Sequence, residues 1–200
     1  MLNSSIVISP LVLFCFQGRL IKQFGELITF FCQFKSLLAP EPFAILQKIR
    51  YTDGSVILDG VNFVGGTLFF DGSMRIRDNQ RIDQWDGWQD WRIIDVESRY
   101  MEFNAYYVDM IRASMKPGMP TALCTHHVPH VKLNGHEPSH YSFYTGMKDL
   151  VHDLPFDPLY NNYLISGHTH RRVIGEVVPG FMGVNVGSDY DQLKSFVLEV

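Results

Sequence analysis

The sequence is poor in cysteine and in basic side chains, and each shortage excludes a class of protein. Its three cysteines show no C-x-x-C spacing, which argues against a disulfide scaffold or a thiolate zinc cluster and is typical of a reducing compartment such as the cytoplasm. The 17 Lys and Arg side chains are outnumbered by 21 Asp and Glu side chains, so stable nucleic-acid binding is not expected. The apolar run from Ile6 to Phe16 is interrupted by Pro10 and is shorter than the roughly 20 residues that span a bilayer, so no membrane partner is expected.

Extended disorder is excluded as well, because 46% of the residues are hydrophobic and only 19% are charged. Residues 1–44 form a segment of atypical composition, with six phenylalanines between Phe14 and Phe34. Residues 45–200 show the regular patterns of a folded domain that mixes α and β structure. We therefore divide the chain at residue 44.

Helix and strand patterns alternate in the second segment. An Asp59-Gly60 turn between two apolar runs predicts a β-hairpin, and apolar residues at helical spacing before Pro117-Gly118 predict a helix that ends there. The remaining patterns predict a second helix at 146–154 and strands at 67–70, 121–124, 163–165, 173–178, 183–186 and 195–200.

Histidine is absent from the first 125 residues, and all eight histidines lie at or beyond His126. Two predicted strands end in histidine, one in T-H-H at Thr125–His127 and the other in G-H-T-H at Gly167–His170. Neutral imidazole is the commonest protein ligand for metals, and the strand ends of α/β proteins gather reactive side chains. Adjacent imidazoles diverge in an extended chain, so one of His126 and His127 is expected to face a metal. Gly167 is expected to provide the bend that brings His168 and His170 together.

Several other catalytic motifs are missing or lack their structural context. His136-Glu137-Pro138-Ser139-His140 has the spacing of the zincin motif H-E-x-x-H, but that motif must lie on a helix, and Pro138 in its centre disfavours one. His170 is followed by Arg171-Arg172 where a metallo-β-lactamase-like site requires Asp-His. The chain also contains no G-x-S-x-G, P-loop or G-x-G-x-x-G motif, which leaves serine hydrolase, NTPase and dinucleotide-binding functions without support.

The two histidine motifs together resemble a known family. C-T-H-H-V-P at 124–129 and I-S-G-H-T-H at 165–170 are similar to the last two motifs of calcineurin-like metallophosphoesterases. G-V-N-F-V-G-G-T-L at 60–68 and N-V-G-S at 185–188 are also similar to members of that family. The resemblance covers residues 45–200.

The resemblance implies an α/β fold in which the chain forms the C-terminal half of a four-layer α/β/β/α sandwich, with mixed sheets flanked by helices. It implies hydrolysis of a phosphoester substrate at a centre of two divalent cations, with Mn, Fe, Zn or Ni favoured over Ca. By position, His126 and His168 match ligands of one metal, and His170 matches a ligand of the other. His127 and Arg171 are assigned to substrate binding.

The chain also departs from the family. The family's first three motifs, D-x-H, G-D-x-x-D and G-N-H, supply the bridging aspartate and most of the negative charge at the metals. No histidine precedes His126 and no Gly-Asp pair occurs anywhere, so these motifs are absent. We therefore expect the C-terminal half of an enzyme, with impaired activity and with exposed sheet edges that favour self-association.

Two alternatives stay open from the sequence. The chain is either a metallophosphoesterase whose missing half lies elsewhere, including on a partner polypeptide, or a non-catalytic pseudoenzyme or interaction module that keeps at most one metal. The segment 1–44 is either foreign or out-of-frame sequence, or a natural divergent element.

Overall fold

The structure, a computed structural model, describes residues 5–8, 55–66, 68–79, 100–187 and 196–199, the first and last of these ranges by their backbone alone. Most of the 1–44 segment and the proposed boundary after it lie outside the described residues. The elements are β1 (Ser5–Ile8), β2 (Ser55–Leu58), β3 (Val61–Gly66), α1 (Tyr100–Ser114), β4 (Thr121–Thr125), β5 (Asn162–Ser166), β6 (Val173–Val178), β7 (Phe181–Asn185) and β8 (Phe196–Glu199). Short 3₁₀ helices occupy Val131–Leu133, His140–Tyr144 and Val151–Asp153.

Six strands form one mixed sheet in the order β2-β3-β4-β5-β7-β6. The four inner strands are parallel to one another, and β2 and β6 pair antiparallel on the outside. The α/β class predicted from the sequence is therefore confirmed. Because the inner strands run the same way, their last residues lie along one border of the sheet, here called the carboxyl edge. β1 and β8 pair antiparallel in a separate two-stranded sheet, and β8 confirms the strand predicted at the end of the chain.

The predicted β-hairpin is confirmed. β2 and β3 pair with Leu58 opposite Val61, which leaves Asp59 and Gly60 as the two turn residues. Both have positive φ, 46° and 79°, as the type I′ turn of a two-residue hairpin requires. The local sequence is sufficient to explain this turn, because Asp and Gly tolerate that conformation best.

The helix predicted before Pro117-Gly118 is confirmed as α1. It buries Tyr107 and Ile111 against the sheet, and Gly118 has a φ of 75° just beyond its end. Apolar side chains cover both faces of the sheet. One face carries residues of the strands and Val186, which directly follows β7: Val56, Val61, Phe63, Ala122, Cys124, Ile165, Val184 and Val186. The other face packs against α1 and the loops after β4, through Val64, Ile111, Leu123, Leu133, Leu150, Leu164 and Val177.

The strand predicted at 67–70 is wrong. Residues 68–70 are described, and none of them belongs to a strand. Leu68 has a φ of 49°, which turns the chain away from the sheet. The side chain of Asn104 then takes the place of a neighbouring strand: its Oδ1 accepts from the Phe69 N–H at 2.7 Å and its Nδ2 donates to the Phe70 carbonyl at 2.6 Å. The buried side-chain amide of Asn104 on α1 thus bonds the backbone groups that would otherwise need a partner strand.

The helix predicted at 146–154 is also wrong, since only Val151–Asp153 is helical and forms a single 3₁₀ turn. The preceding residues bond to the loop after β4. The Met147 N–H donates to the Val128 carbonyl at 3.0 Å, and the Val131 N–H donates to the Lys148 carbonyl at 2.9 Å. These long-range bonds use the groups that a helix would need for itself.

No helix in the described part of the chain combines the length and the apolar character needed to cross a membrane.

Candidate functional site: a histidine cluster at the carboxyl edge

The two histidine motifs meet at the carboxyl edge. β4 and β5 are parallel neighbours, with Cys124 opposite Ile165, so the residues that follow each strand emerge side by side. The Gly167 N–H donates to the His126 carbonyl at 3.1 Å and continues the pairing one step beyond the strands. The topology therefore brings His126 and His168 together although 42 positions separate them.

The rings of these two histidines are in direct contact. Nδ1 of His168 lies 3.0 Å from Nε2 of His126, and Nε2 of His168 lies 3.1 Å from the Tyr144 carbonyl oxygen. A carbonyl oxygen only accepts, so Nε2 of His168 carries a proton. In the neutral ring, Nδ1 of His168 is then the acceptor, and Nε2 of His126 donates to it at 3.0 Å. The Tyr144 carbonyl thus selects this tautomer of His168 for as long as the ring is oriented toward it.

His126 is held in its neutral form. Its side chain is buried, and burial lowers its pKa well below the ordinary value, with His168 and then His170 lowering it further by charge repulsion. A neutral imidazole is the form that binds metals. The Cys124 thiol on the preceding strand is not a comparable ligand, because burial raises its pKa to about 12.

His127 packs against the same pair instead of turning away. Its ring is buried, 5.1 Å from that of His126 and 4.0 Å from that of His168, between Phe69 and Phe70. The planes of His127 and His168 are tilted by 31°. His127 thus packs within this cluster, and its ring nitrogens are also candidates for a metal.

Backbone strain is concentrated in the G-H-T-H segment. His168 and His170 have φ values of 63° and 56°, whereas the expected bend at Gly167 is not accompanied by a positive φ. The residue between them, Thr169, is buried and bonded on both sides. Its Oγ1 accepts from Nδ2 of Asn185 at 2.6 Å, and its carbonyl accepts from Nε2 of His136 at 2.8 Å. Left-handed backbone at non-glycine residues persists when surrounding contacts determine it, and such residues cluster at functional sites.

The residues present fit a divalent transition metal. Ligand nitrogens of His126, His127 and His168 all lie within 4.8 Å of one another. Two nitrogens about 2.1 Å from one ion, at an angle of about 90–110°, are about 3.0–3.4 Å apart. The 3.0 Å between His126 Nε2 and His168 Nδ1 matches that spacing. The bond from the other nitrogen of His168 to a backbone carbonyl is the outer contact that metal-binding histidines usually make.

The other predicted site residues lie outside this group. His170 is partly exposed, and it is close enough for its charge to lower the pKa of His126. Arg171 is exposed, with its side chain beginning beside Gly135. No Asp or Glu of the described ranges joins the three histidines. The assignments of His126, His168 and His170 to metals, and of His127 and Arg171 to substrate, stay predictions.

Sequence reasoning missed two groups that shape the site. The Tyr144 carbonyl has no side-chain signature, so no motif could identify it. His136 was expected outside the metal ligands, and it does lie in a loop away from the three-histidine group, but its bond to Thr169 was not foreseen. His140 and His152 are exposed and also lie outside the group.

Comparison of the chain with models of protein families, with curated proteins and with solved structures finds no match.

Proposed function

We propose that this chain holds a divalent transition metal between His126 and His168 and that it is the C-terminal half of a metallophosphoesterase-type α/β/β/α sandwich. The observation that carries the proposal is the pair of nitrogens 3.0 Å apart at the ends of adjacent parallel strands, with the far nitrogen of His168 bonded to the Tyr144 carbonyl. The resemblance of the two motifs to that family supplies the reaction class, the hydrolysis of phosphoesters.

Each residue has a role that follows from its environment. Burial keeps His126 neutral, the state in which imidazole binds a metal once the proton on its Nε2 has moved to Nδ1. His168 is oriented by Tyr144, and His170 would serve the second ion of the family's centre. Arg171, exposed beside this edge, would contact a substrate phosphate through its guanidinium group. When bound, a divalent metal such as Mn, Fe, Zn or Ni supplies Lewis-acid polarisation of the phosphoryl oxygen and a more acidic bound water.

A second candidate is a non-catalytic pseudoenzyme or interaction module that keeps at most one metal. It is favoured by the absence of any carboxylate from the histidine group in the described part of the chain. Neutral imidazoles alone give no bridge between two ions and no negative charge to hold them. Under either candidate we place the protein in the cytoplasm, and we expect self-association through the outer strands β2 and β6.

Metal titration tests both candidates. Zn²⁺ or Mn²⁺ binding to the purified chain should be weak, with fewer than two ions per chain, and should be lost in His126→Ala and His168→Ala. His152→Ala is the matched control, because His152 is exposed and only pairs with Asp149 at 3.4 Å. A chain that binds no metal would contradict the first candidate and would agree with a non-catalytic module that holds no ion.

An aryl phosphate then tests whether the chain is a working hydrolase. Turnover near the uncatalysed background is expected from the half-site and agrees with a non-catalytic module. Metal-dependent turnover at enzyme-like rates that His168→Ala abolishes would instead establish a working hydrolase, with further ligands supplied by residues not identified here or by a partner chain.

A further inference from the structure

A further imidazole, that of His136, bonds to the backbone of the segment that carries the proposed metal ligands. His136 is partly exposed, and its Nε2 lies 2.8 Å from the carbonyl oxygen of Thr169, in the centre of the G-H-T-H segment. Because that oxygen only accepts, Nε2 of His136 carries a proton and donates it to the bond. The ring of Tyr141 stands edge-on to His136, with centroids 5.7 Å apart and planes at 81°. His136 is therefore held by one contact on the ring and one directional bond.

We propose that His136 is a positioning residue for the metal site: its bond to Thr169 holds the strained segment so that Nδ1 of His168 faces His126. This inference rests on the proposed function, since it concerns the affinity of that site. The two left-handed residues, His168 and His170, flank Thr169, and each costs conformational energy that other contacts must offset. Thr169 is the single residue between them, and its carbonyl is the group to which His136 donates.

The opposite side of Thr169 is secured independently. Nδ2 of Asn185 donates to its hydroxyl at 2.6 Å and to the Leu133 carbonyl at 2.8 Å. Asn185 fixes the position of Thr169 on the sheet, whereas His136 fixes the rotation of the peptide that links Thr169 to His170. Removing the His136 donor should therefore leave the fold intact and loosen only the orientation of the flanking imidazoles.

Variants at position 136 separate the effect of the hydrogen-bond donor from the effect of the aromatic ring. His136→Phe keeps an aromatic ring against Tyr141 and removes the donor, and His136→Asn removes the donor with a polar side chain that is too short to reach. His136→Gln places an amide N–H near the lost Nε2. Co²⁺ binding followed by its visible absorption should weaken about tenfold in His136→Phe and His136→Asn and recover in His136→Gln. Unfolding temperatures should change little, so a general structural role would not produce this pattern.

A metal-free measurement distinguishes failure of the inference from failure of the metal site. Long-range ¹H–¹⁵N NMR of the His168 ring should show a proton on Nε2 alone in the wild type and a mixture of tautomers in His136→Phe. Unchanged Co²⁺ affinity and an unchanged tautomer in the two variants that lack the donor would overturn the positioning role, as would a His136→Gln variant as weak as His136→Phe. If the wild type binds no Co²⁺, the metal site is overturned, and the tautomer result decides the role of His136.

Discussion

In the described part of the chain, non-glycine residues adopt the left-handed region at Leu68, in the hairpin turn and in the G-H-T-H segment, and the last two do so for opposite reasons. In the hairpin turn, Asp59 and Gly60 are exposed, and a Cβ added to Gly60 would meet nothing within 4 Å. In the G-H-T-H segment, His168 and His170 flank a buried threonine that is bonded on both sides. The first turn follows from local preference, and the second is imposed by contacts from distant parts of the chain. Strain that tertiary contacts impose is the kind associated with function.

The largest expected difference in stability between the two regions comes from adding one methyl group at each, in Gly187→Ala and in Gly60→Ala. A Cβ on Gly187, whose φ is 66°, would overlap the backbone of Arg172 just after the G-H-T-H segment. Gly187→Ala should lower the free energy of unfolding by about 4 kcal/mol, because neither backbone can move aside cheaply. Gly60→Ala should cost only the left-handed strain, about 1–2 kcal/mol. Urea denaturation of both variants makes the comparison, and equal losses would contradict it.

Removing Asn185, which supports the G-H-T-H segment from the sheet, should have the next largest effect on stability. Asn185→Leu keeps the side-chain volume but leaves the Leu133 carbonyl, the Thr169 hydroxyl and the Gly187 N–H without this partner. We expect a loss of about 3 kcal/mol, since each buried polar group left unsatisfied costs about 1–3 kcal/mol. Thermal and urea unfolding measure it. Asn161→Leu, at an exposed position, is the control and should change stability by less than about 0.5 kcal/mol.

Acid should lower the free energy of unfolding through the buried histidines at the carboxyl edge. It should not act in this way on the hairpin turn, which contains no imidazole. Burial lowers the pKa of His126 well below its usual 6.5, so below that pH the unfolded chain binds a proton that the folded chain does not. Stability is therefore complete above about pH 6.5 and falls by about 1 kcal/mol per pH unit below it for this group.

The buried His130, whose pKa is lowered chiefly by burial, adds to this slope. Urea unfolding between about pH 7.5 and 5.5 measures the loss. In His126→Gln the slope should become shallower, and a slope identical to that of the wild type would show that His126 does not contribute.

The smallest expected effect is a slight increase in the free energy of unfolding. His170→Gly removes the left-handed strain at a partly exposed position, and the relief exceeds the entropy that glycine loses on folding by about 0.5 kcal/mol. The same change should remove whatever metal binding His170 provides. Differential scanning calorimetry without metal checks the stability, and a clear loss of stability would show that His170 makes contacts worth more than its strain.

Much of the framework could be predicted from short stretches of sequence. Asp59-Gly60 predicted the hairpin, the apolar spacing before Pro117-Gly118 predicted α1, and the apolar run at 121–124 predicted β4. The failures at 67–70 and 146–154 have one cause. Their backbone groups bond to Asn104 and to the loop after β4, and neither partner lies near them in the sequence.

The candidate site divides in the same way. Two strand-terminal histidine motifs were sufficient to predict that His126 and His168 share one edge of the sheet, because parallel neighbours end together. The position of His170 outside the three-histidine group could not be predicted in this way, nor could the inclusion of His127. Both depend on where the backbone turns after each strand. Thr169 and its partners hold the turn at His170, and after β4 the Thr125 hydroxyl donates to the His127 carbonyl at 2.7 Å.

The sequence by itself determined which residue types are available for chemistry, where the hairpin turns and where α1 ends, because these depend on side-chain identity and on neighbours a few residues away. Only the tertiary structure decided which nitrogen of His168 carries the proton, how far it lies from His126, and that His136 and Asn185 both hold Thr169. Hydrogen bonds between segments tens of residues apart depend on positions that exist only once the sheet has formed, and no local preference encodes them.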